Sequence, residues 1–222
     1  MSGPAFDYTT APNIFLGRDG SGPLRIVWDT SVLILFQKYG ETLWDDGPVA
    51  EPDHLRDQIE ALGTIVNPLW LTRDIRFQVL PQTLIDFQRH FPDPDGKVRE
   101  RFIDAIEAAR LFGVGFGDED YGPPAPTCEP IPRETLACLP RRGLDRELVD
   151  VAQRVGAHVF LTNDKKLAQK APQIALYGLL LVRPAQLLDE LGFAGELTRR
   201  PDWPAPDLQR VVELLRPFSS NP

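Results

Sequence analysis

Four aspartates stand at positions where they could share one reaction centre. Asp29 follows the apolar run Ile26-Val27-Trp28, so a short buried strand delivers a carboxylate to its own carboxyl end. Asp86 lies in Thr83-Leu84-Ile85-Asp86, downstream of the run Phe77 to Leu80. Asp145 opens the amphipathic stretch Asp145 to Ala152, and Asp164 closes the run from Val159 to Asn163. Carboxylates brought this close repel one another. A hard divalent ion such as Mg²⁺ or Mn²⁺, which prefers oxygen ligands, removes that penalty. Asp29, Asp86, Asp145 and Asp164 are therefore candidate metal ligands and candidate catalytic groups. Thr30, Ser31, Thr162 and Asn163 flank two of them and can either orient the ligating carboxylates or cap turns.

The elements that must position these groups follow from periodicity. A strand is expected over residues 25 to 29, then a helix through Val32 to Phe36 capped by Thr30 or Ser31. Leu55, Ile59 and Leu62 mark a helix behind Asp53. A strand at about 75 to 80 and a helix from Thr83 to His90 come next. Val98, Phe102, Ile106 and Ala109 form the stripe of a further helix. Leu148, Val151, Ala152 and Val155 define another, Val159 to Leu161 a buried strand, and Leu179 to Val182 a strand before a helix from Pro184 to Leu191. Strand and helix in alternation predict an α/β fold with a mainly parallel sheet between helices. At the carboxyl edge of such a sheet, residues ending neighbouring strands converge on one crevice.

The same stretches resemble the PIN domain, a family of metal-dependent nucleases that includes the ribonuclease toxins of toxin and antitoxin pairs. The likeness is carried by Ile26-Val-Trp-Asp29-Thr30-Ser31, by Thr83-Leu84-Ile85-Asp86, and by the block Asp145-x-x-Leu148-x-x-x-Ala152-x-x-x-Gly156 running on into Thr162-Asn163-Asp164. Leu179 to Leu188 resembles the terminal strand and helix, so the likeness spans roughly residues 24 to 192. The family usually has Glu where this chain has Asp86, a side chain shorter by one methylene. The resemblance implies a three-layer α/β/α PIN-like fold and a Mg²⁺- or Mn²⁺-dependent nuclease acting on phosphodiester bonds, with single-stranded RNA as substrate. It also leaves open a catalytically weak RNA- or protein-binding module, or a toxin ribonuclease held by an antitoxin-like partner.

Composition bounds the rest. With 222 residues and 42% hydrophobic content, the chain can bury a sizeable core. The expected layout is an irregular arm over 1–23, a main domain over 24–192 with a Pro-rich insertion at about 117–143, and a C-terminal extension over 193–222. Leu208, Val211, Val212 and Leu215 give that extension an amphipathic stripe, which packs on the same chain or forms a homodimer or partner interface. No apolar run of about 18 residues suggests a membrane span, and nothing resembles a secretory signal, so a cytoplasmic location is expected. Cys128 and Cys138 lack partners at zinc-site spacing and read as free thiols.

The net charge of −8 argues against a protein that coats nucleic acid through bulk electrostatics. Residues 141 to 170 nevertheless hold seven basic residues against four acidic ones, two of which are Asp145 and Asp164. Arg146, Lys165 and Lys166 are the candidates to grip a phosphate backbone there. Asp150 falls on a different helix face from Asp145 and reads as a solvated charge. The run Asp118 to Asp120 reads as a solvated loop, and His54, His90 and His158 as structural.

Overall fold

The structure, a computed structural model, describes residues 5–44, 49–69, 73–90, 129–140 and 144–197. The helix expected through Val98 to Ala109, the run Asp118 to Asp120, Cys128 and the stripe Leu208 to Leu215 lie outside the described residues.

Four strands form one parallel sheet. They are β3 (Leu24–Trp28), β4 (Ile75–Val79), β5 (Val159–Leu161) and β6 (Leu180–Val182), in the order β4-β3-β5-β6. Side chains alternate between the faces, as the pleat requires. Leu24, Ile26, Trp28, Phe77, Val159, Leu161 and Val182 enter one buried cluster, while Val27, Phe160 and Leu181 enter the other. Burial on both faces explains why these strands read as continuous apolar runs.

The first cluster is completed by α2 (Thr30–Trp44), α3 (Asp53–Thr64) and α9 (Pro184–Phe193). Trp28 anchors it, with its ring 5.2 Å from that of Phe36 and 5.1 Å from that of Phe77. The second cluster gathers α6 (Asp145–Arg154), which contributes Leu148, Val149 and Ala152. The short helices α7 (Lys165–Ala168) and α8 (Ala171–Ala175) add Leu167 and Ile174. Between β4 and these elements run α4 (Pro81–His90), which packs against α6, and the five-residue α5 (Arg133–Ala137). Among the described residues no helix is long and apolar enough to cross a membrane.

The arm departs from expectation. It is not irregular: β1 (Phe6–Asp7) pairs antiparallel with β2 (Ser21–Gly22), and α1 (Pro12–Phe15) lies between them. Phe6, Ala11, Ile14 and Phe15 are buried in the first cluster, so the arm closes the core. Its rings enclose His158 at the amino end of β5, with Tyr8 and Phe15 at 5.1 and 5.0 Å in edge-on geometry. His158 Nδ1 accepts the backbone N–H of Arg25 at 3.1 Å. Burial, helped by the charges of Arg18 and Arg25, pushes the pKa of this imidazole down to about 2, so the ring is neutral.

A second tie joins the arm to the far end of the domain. Arg73 and Glu196 form a buried ion pair, with side chains 2% and 1% exposed. Thr10 Oγ1 donates to the other Glu196 oxygen at 2.9 Å, and the Arg73 guanidinium lies 4.1 Å over the Phe6 ring.

One turn at the amino edge of the sheet sets the course of β5 towards the site. α6 ends at Arg154, and Gly156 takes φ +73°, a left-handed value that L side chains disfavour. Ala157 N–H then returns to the Ala152 carbonyl at 3.1 Å, reversing the chain into β5.

Candidate active site

β3 is central, with β4 on one side and β5 on the other, so the strand order reverses there. Open parallel sheets bind ligands at the carboxyl side of such a point. Asp29 occupies it. Its backbone N–H donates to the Leu161 carbonyl at 2.9 Å, continuing the ladder one step beyond the strands, and its own carbonyl accepts from Val32 and Leu33 in the first turn of α2. The strand-to-helix turn therefore fixes the side chain at the sheet edge.

That side chain is buried, at 5% exposure. Oδ1 accepts the Thr30 backbone N–H at 2.8 Å; Oδ2 accepts the hydroxyls of Ser31 at 2.6 Å and Thr162 at 2.7 Å. Burial pushes the Asp29 pKa up, these three donors pull it down, and the neighbouring Asp86 charge pushes it up again; the net shift is upward. Asp86 is itself buried. Its placement comes from Thr83, whose buried hydroxyl donates to the Trp28 carbonyl at 3.3 Å and pins the first turn of α4 beside the end of β3. Asp86, one turn later, shares that face. The buried Asp86 carboxylate thus acts on the buried Asp29 carboxylate where little solvent screens it.

The β5 side supplies the hydroxyl and amide groups. Asn163 N–H donates to Ser31 Oγ at 2.8 Å, and Asp164 N–H to Thr162 Oγ1 at 3.1 Å. Thr30, Ser31, Thr162 and Asn163 therefore all join the network around Asp29, Thr30 through its backbone. Asp164 does something different. Its Oδ1 accepts the N–H groups of Lys166 at 2.7 Å and Leu167 at 3.3 Å, capping α7. Asp145 sits half-buried in the first turn of α6, the helix that packs on Asp86's helix. Among the described residues no three Asp, Glu, His or Cys side chains gather at ion-holding distance.

The chain matches no family model and no curated protein.

The donor set suits a hard cation. Its groups are carboxylate and hydroxyl oxygens, and Asp29 Oδ1 accepts a single hydrogen bond among the described residues, which leaves it a lone pair. A cation beside Asp29 and Asp86 would offset the burial and repulsion that raise the Asp29 pKa. Asp29 and Asp86 thus fit as the nucleus of a metal site, with Asp145 and Asp164 carried on the elements around it.

Of the basic candidates, Lys165 and Lys166 are exposed on α7, directly after Asp164. Arg146 has another partner: one of its terminal nitrogens donates to the carbonyls of Ala137 at 2.7 Å and Leu139 at 3.1 Å, bracing α5. Asp150 pairs with Arg154 at 2.9 Å along α6, away from the site. Cys138 is free and exposed. A cation absent from the sequence reading is Arg183, whose guanidinium donates to Asn163 Oδ1 at 3.0 Å. Its place directly after β6 is visible in the sequence, but its nearness to Asn163 comes from the pairing of β6 with β5.

Proposed function

We propose that this chain is a divalent-metal-dependent nuclease with a three-layer, PIN-like α/β/α arrangement, hydrolysing phosphodiester bonds in single-stranded RNA. The observation that carries the reading is the buried Asp29–Asp86 pair at the reversal point of a four-stranded parallel sheet. A folded chain keeps two mutually repelling carboxylates in low dielectric only against a cost, and function is the ordinary reason for bearing it.

Each residue then has a task. Asp29 and Asp86 would hold Mg²⁺ or Mn²⁺, which when bound polarises a phosphate and makes water a nucleophile near neutral pH. Ser31 and Thr162 fix the Asp29 carboxylate in one rotamer, so its free lone pair keeps a constant direction. Asp164, anchored by the first turn of α7, presents its second oxygen at the rim, and Asp145 completes the acidic side. Lys165 and Lys166 contribute positive charge where the polyanion would pass. No side-chain nucleophile is required.

The capping role of Asp164 favours a second reading, in which the same fold clamps RNA without efficient hydrolysis. Purified protein incubated with pools of labelled RNA and DNA in Mn²⁺, Mg²⁺ or excess chelator separates the two. Metal-dependent cleavage of RNA supports the nuclease, and binding without cleavage in either metal supports the clamp. Cleavage undiminished by chelator would rule out the metal mechanism.

A further inference from the structure

The carboxyl edge of the sheet carries a gradient of charge. Along the strand order β4-β3-β5-β6, the residues that follow each strand include Asp86, Asp29, the Thr162-Asn163 pair and Arg183. Two ladder bonds hold the last three side by side: Asp29 N–H to the Leu161 carbonyl at 2.9 Å, and Thr162 N–H to the Val182 carbonyl at 3.0 Å. A continuous chain of hydrogen bonds then runs from base to acid. Arg183 donates to Asn163 Oδ1 at 3.0 Å, Asn163 N–H to Ser31 Oγ at 2.8 Å, and Ser31 to Asp29 Oδ2 at 2.6 Å.

Arg183 is held without a counter-ion. Its guanidinium meets a neutral amide, its Nε is buried with no hydrogen-bond partner among the described residues, and no described carboxylate pairs with it. Desolvation is the sole cause of a lowered pKa there. The backbone around it is settled: its own N–H donates to Gln186 Oε1 at 3.1 Å, and Gln58 accepts the Ala185 N–H at 3.2 Å. An oriented, partly desolvated guanidinium gains most from an anion that meets its planar fork with two oxygens, which is phosphate geometry. Two strand spacings, roughly 9.5 Å, separate the backbones of β3 and β6. That offset places the cation beside the metal-binding pair, not on it.

Resting on the nuclease reading, we propose that Arg183 is a substrate-positioning residue that grips a phosphate flanking the one at Asp29 and Asp86, with Asn163 locking the guanidinium in place. The nucleic acid would then cross the sheet edge from β3 towards β6, and Arg183 would set its register against the acids.

The test uses the full chain carrying Asp29→Asn, so that labelled single-stranded RNA is bound and not cut, with Mn²⁺ present across a salt series. Adding Arg183→Gln should weaken binding about tenfold or more and make the salt slope shallower by about 0.7, the loss of one phosphate contact. Arg183→Lys should restore the slope and only part of the affinity. In the otherwise native chain Arg183→Gln should raise KM more than it lowers kcat. Unchanged affinity and slope, in a protein whose parent cleaves RNA, overturns the proposal and leaves the nuclease reading standing. So does an equal fall in kcat for Arg183→Gln and Asn163→Ala at constant slope, which would make Arg183 a brace for Asn163. If the parent neither binds nor cleaves RNA or DNA, both fall. Should Arg183→Gln not fold, Arg183→Lys carries the KM and affinity comparison.

Discussion

Asp29 concentrates the chemistry of this chain in one side chain. Three donors and a second carboxylate act on a group with almost no solvent. Asp29→Asn removes the charge and keeps the shape, and the hydroxyls of Ser31 and Thr162 can turn to accept from the new amide. Stability in urea should therefore hold level or rise, because the repulsion with Asp86 is gone. Mn²⁺ affinity and nucleic-acid cleavage should both drop to background; a mutant that still cleaves at the native rate would place the chemistry elsewhere. Lys165→Glu with Lys166→Glu should leave Mn²⁺ titration nearly unchanged while weakening RNA binding and flattening its salt dependence, since both side chains lie exposed beyond Asp164. Unaltered binding would move the substrate track to other cations, such as Arg76. The placement of Asp29 at the sheet edge was legible in the sequence because a carboxylate after an apolar strand is a local signal. That of Arg183 was not, because its nearness to Asn163 depends on β6 lying next to β5, and strand order is not a local property.

Elements were legible where an apolar run or several helical turns marked them. β3, β4, β5 and β6 fall within a residue or so of expectation, as do α4 at its carboxyl end and α9 at its amino end, since each carries several turns or a full apolar run. β1, β2, α1 and α5 span two to five residues with no continuous apolar run to mark them, so in the sequence the arm reads as irregular and the insertion only as Pro-rich. Gly156 was readable as a turn within the Asp145 block, and its φ of +73° gives the reason for glycine there. Gly156→Ala should cost about 1–2 kcal/mol, the strain of a left-handed alanine, read as a lower urea midpoint at constant m-value. A variant as stable as the parent would show that the turn tolerates a Cβ.

On the scale of the whole molecule, the sheet separates two environments. Its carboxyl edge gathers acids, hydroxyls and Arg183; its amino edge is sealed by the arm around a neutral His158. Because that imidazole is held near pKa 2 in the folded chain against 6.5 when exposed, the unfolded chain binds its proton first as pH falls. The contribution of neutral His158 is whole above about pH 6.5 and is lost progressively below it, by up to about 1.4 kcal/mol per pH unit. His158→Gln, which retains an acceptor for the Arg25 N–H, should remove that slope. Urea titrations of both proteins at several pH values between about 4 and 7 measure the difference, and parallel pH profiles would mean the ring is protonated in the fold.

The tie among Thr10, Arg73 and Glu196 also bears on how the chain is made. Thr10 and Glu196 are 186 residues apart, so their hydrogen bond closes a loop of nearly the whole domain. During synthesis the arm leaves the ribosome 186 residues ahead of Glu196. Until then Arg73 lacks the carboxylate that neutralises it in the fold. Contacts of such long sequence separation form late, after local helices and strands have reduced the entropy of closing the loop. The arm is thus made well before its partner and is among the last segments to settle. A nascent chain would carry Phe6, Ile14 and Phe15 exposed until the Glu196 segment emerges, which makes the arm a natural client surface for a chaperone.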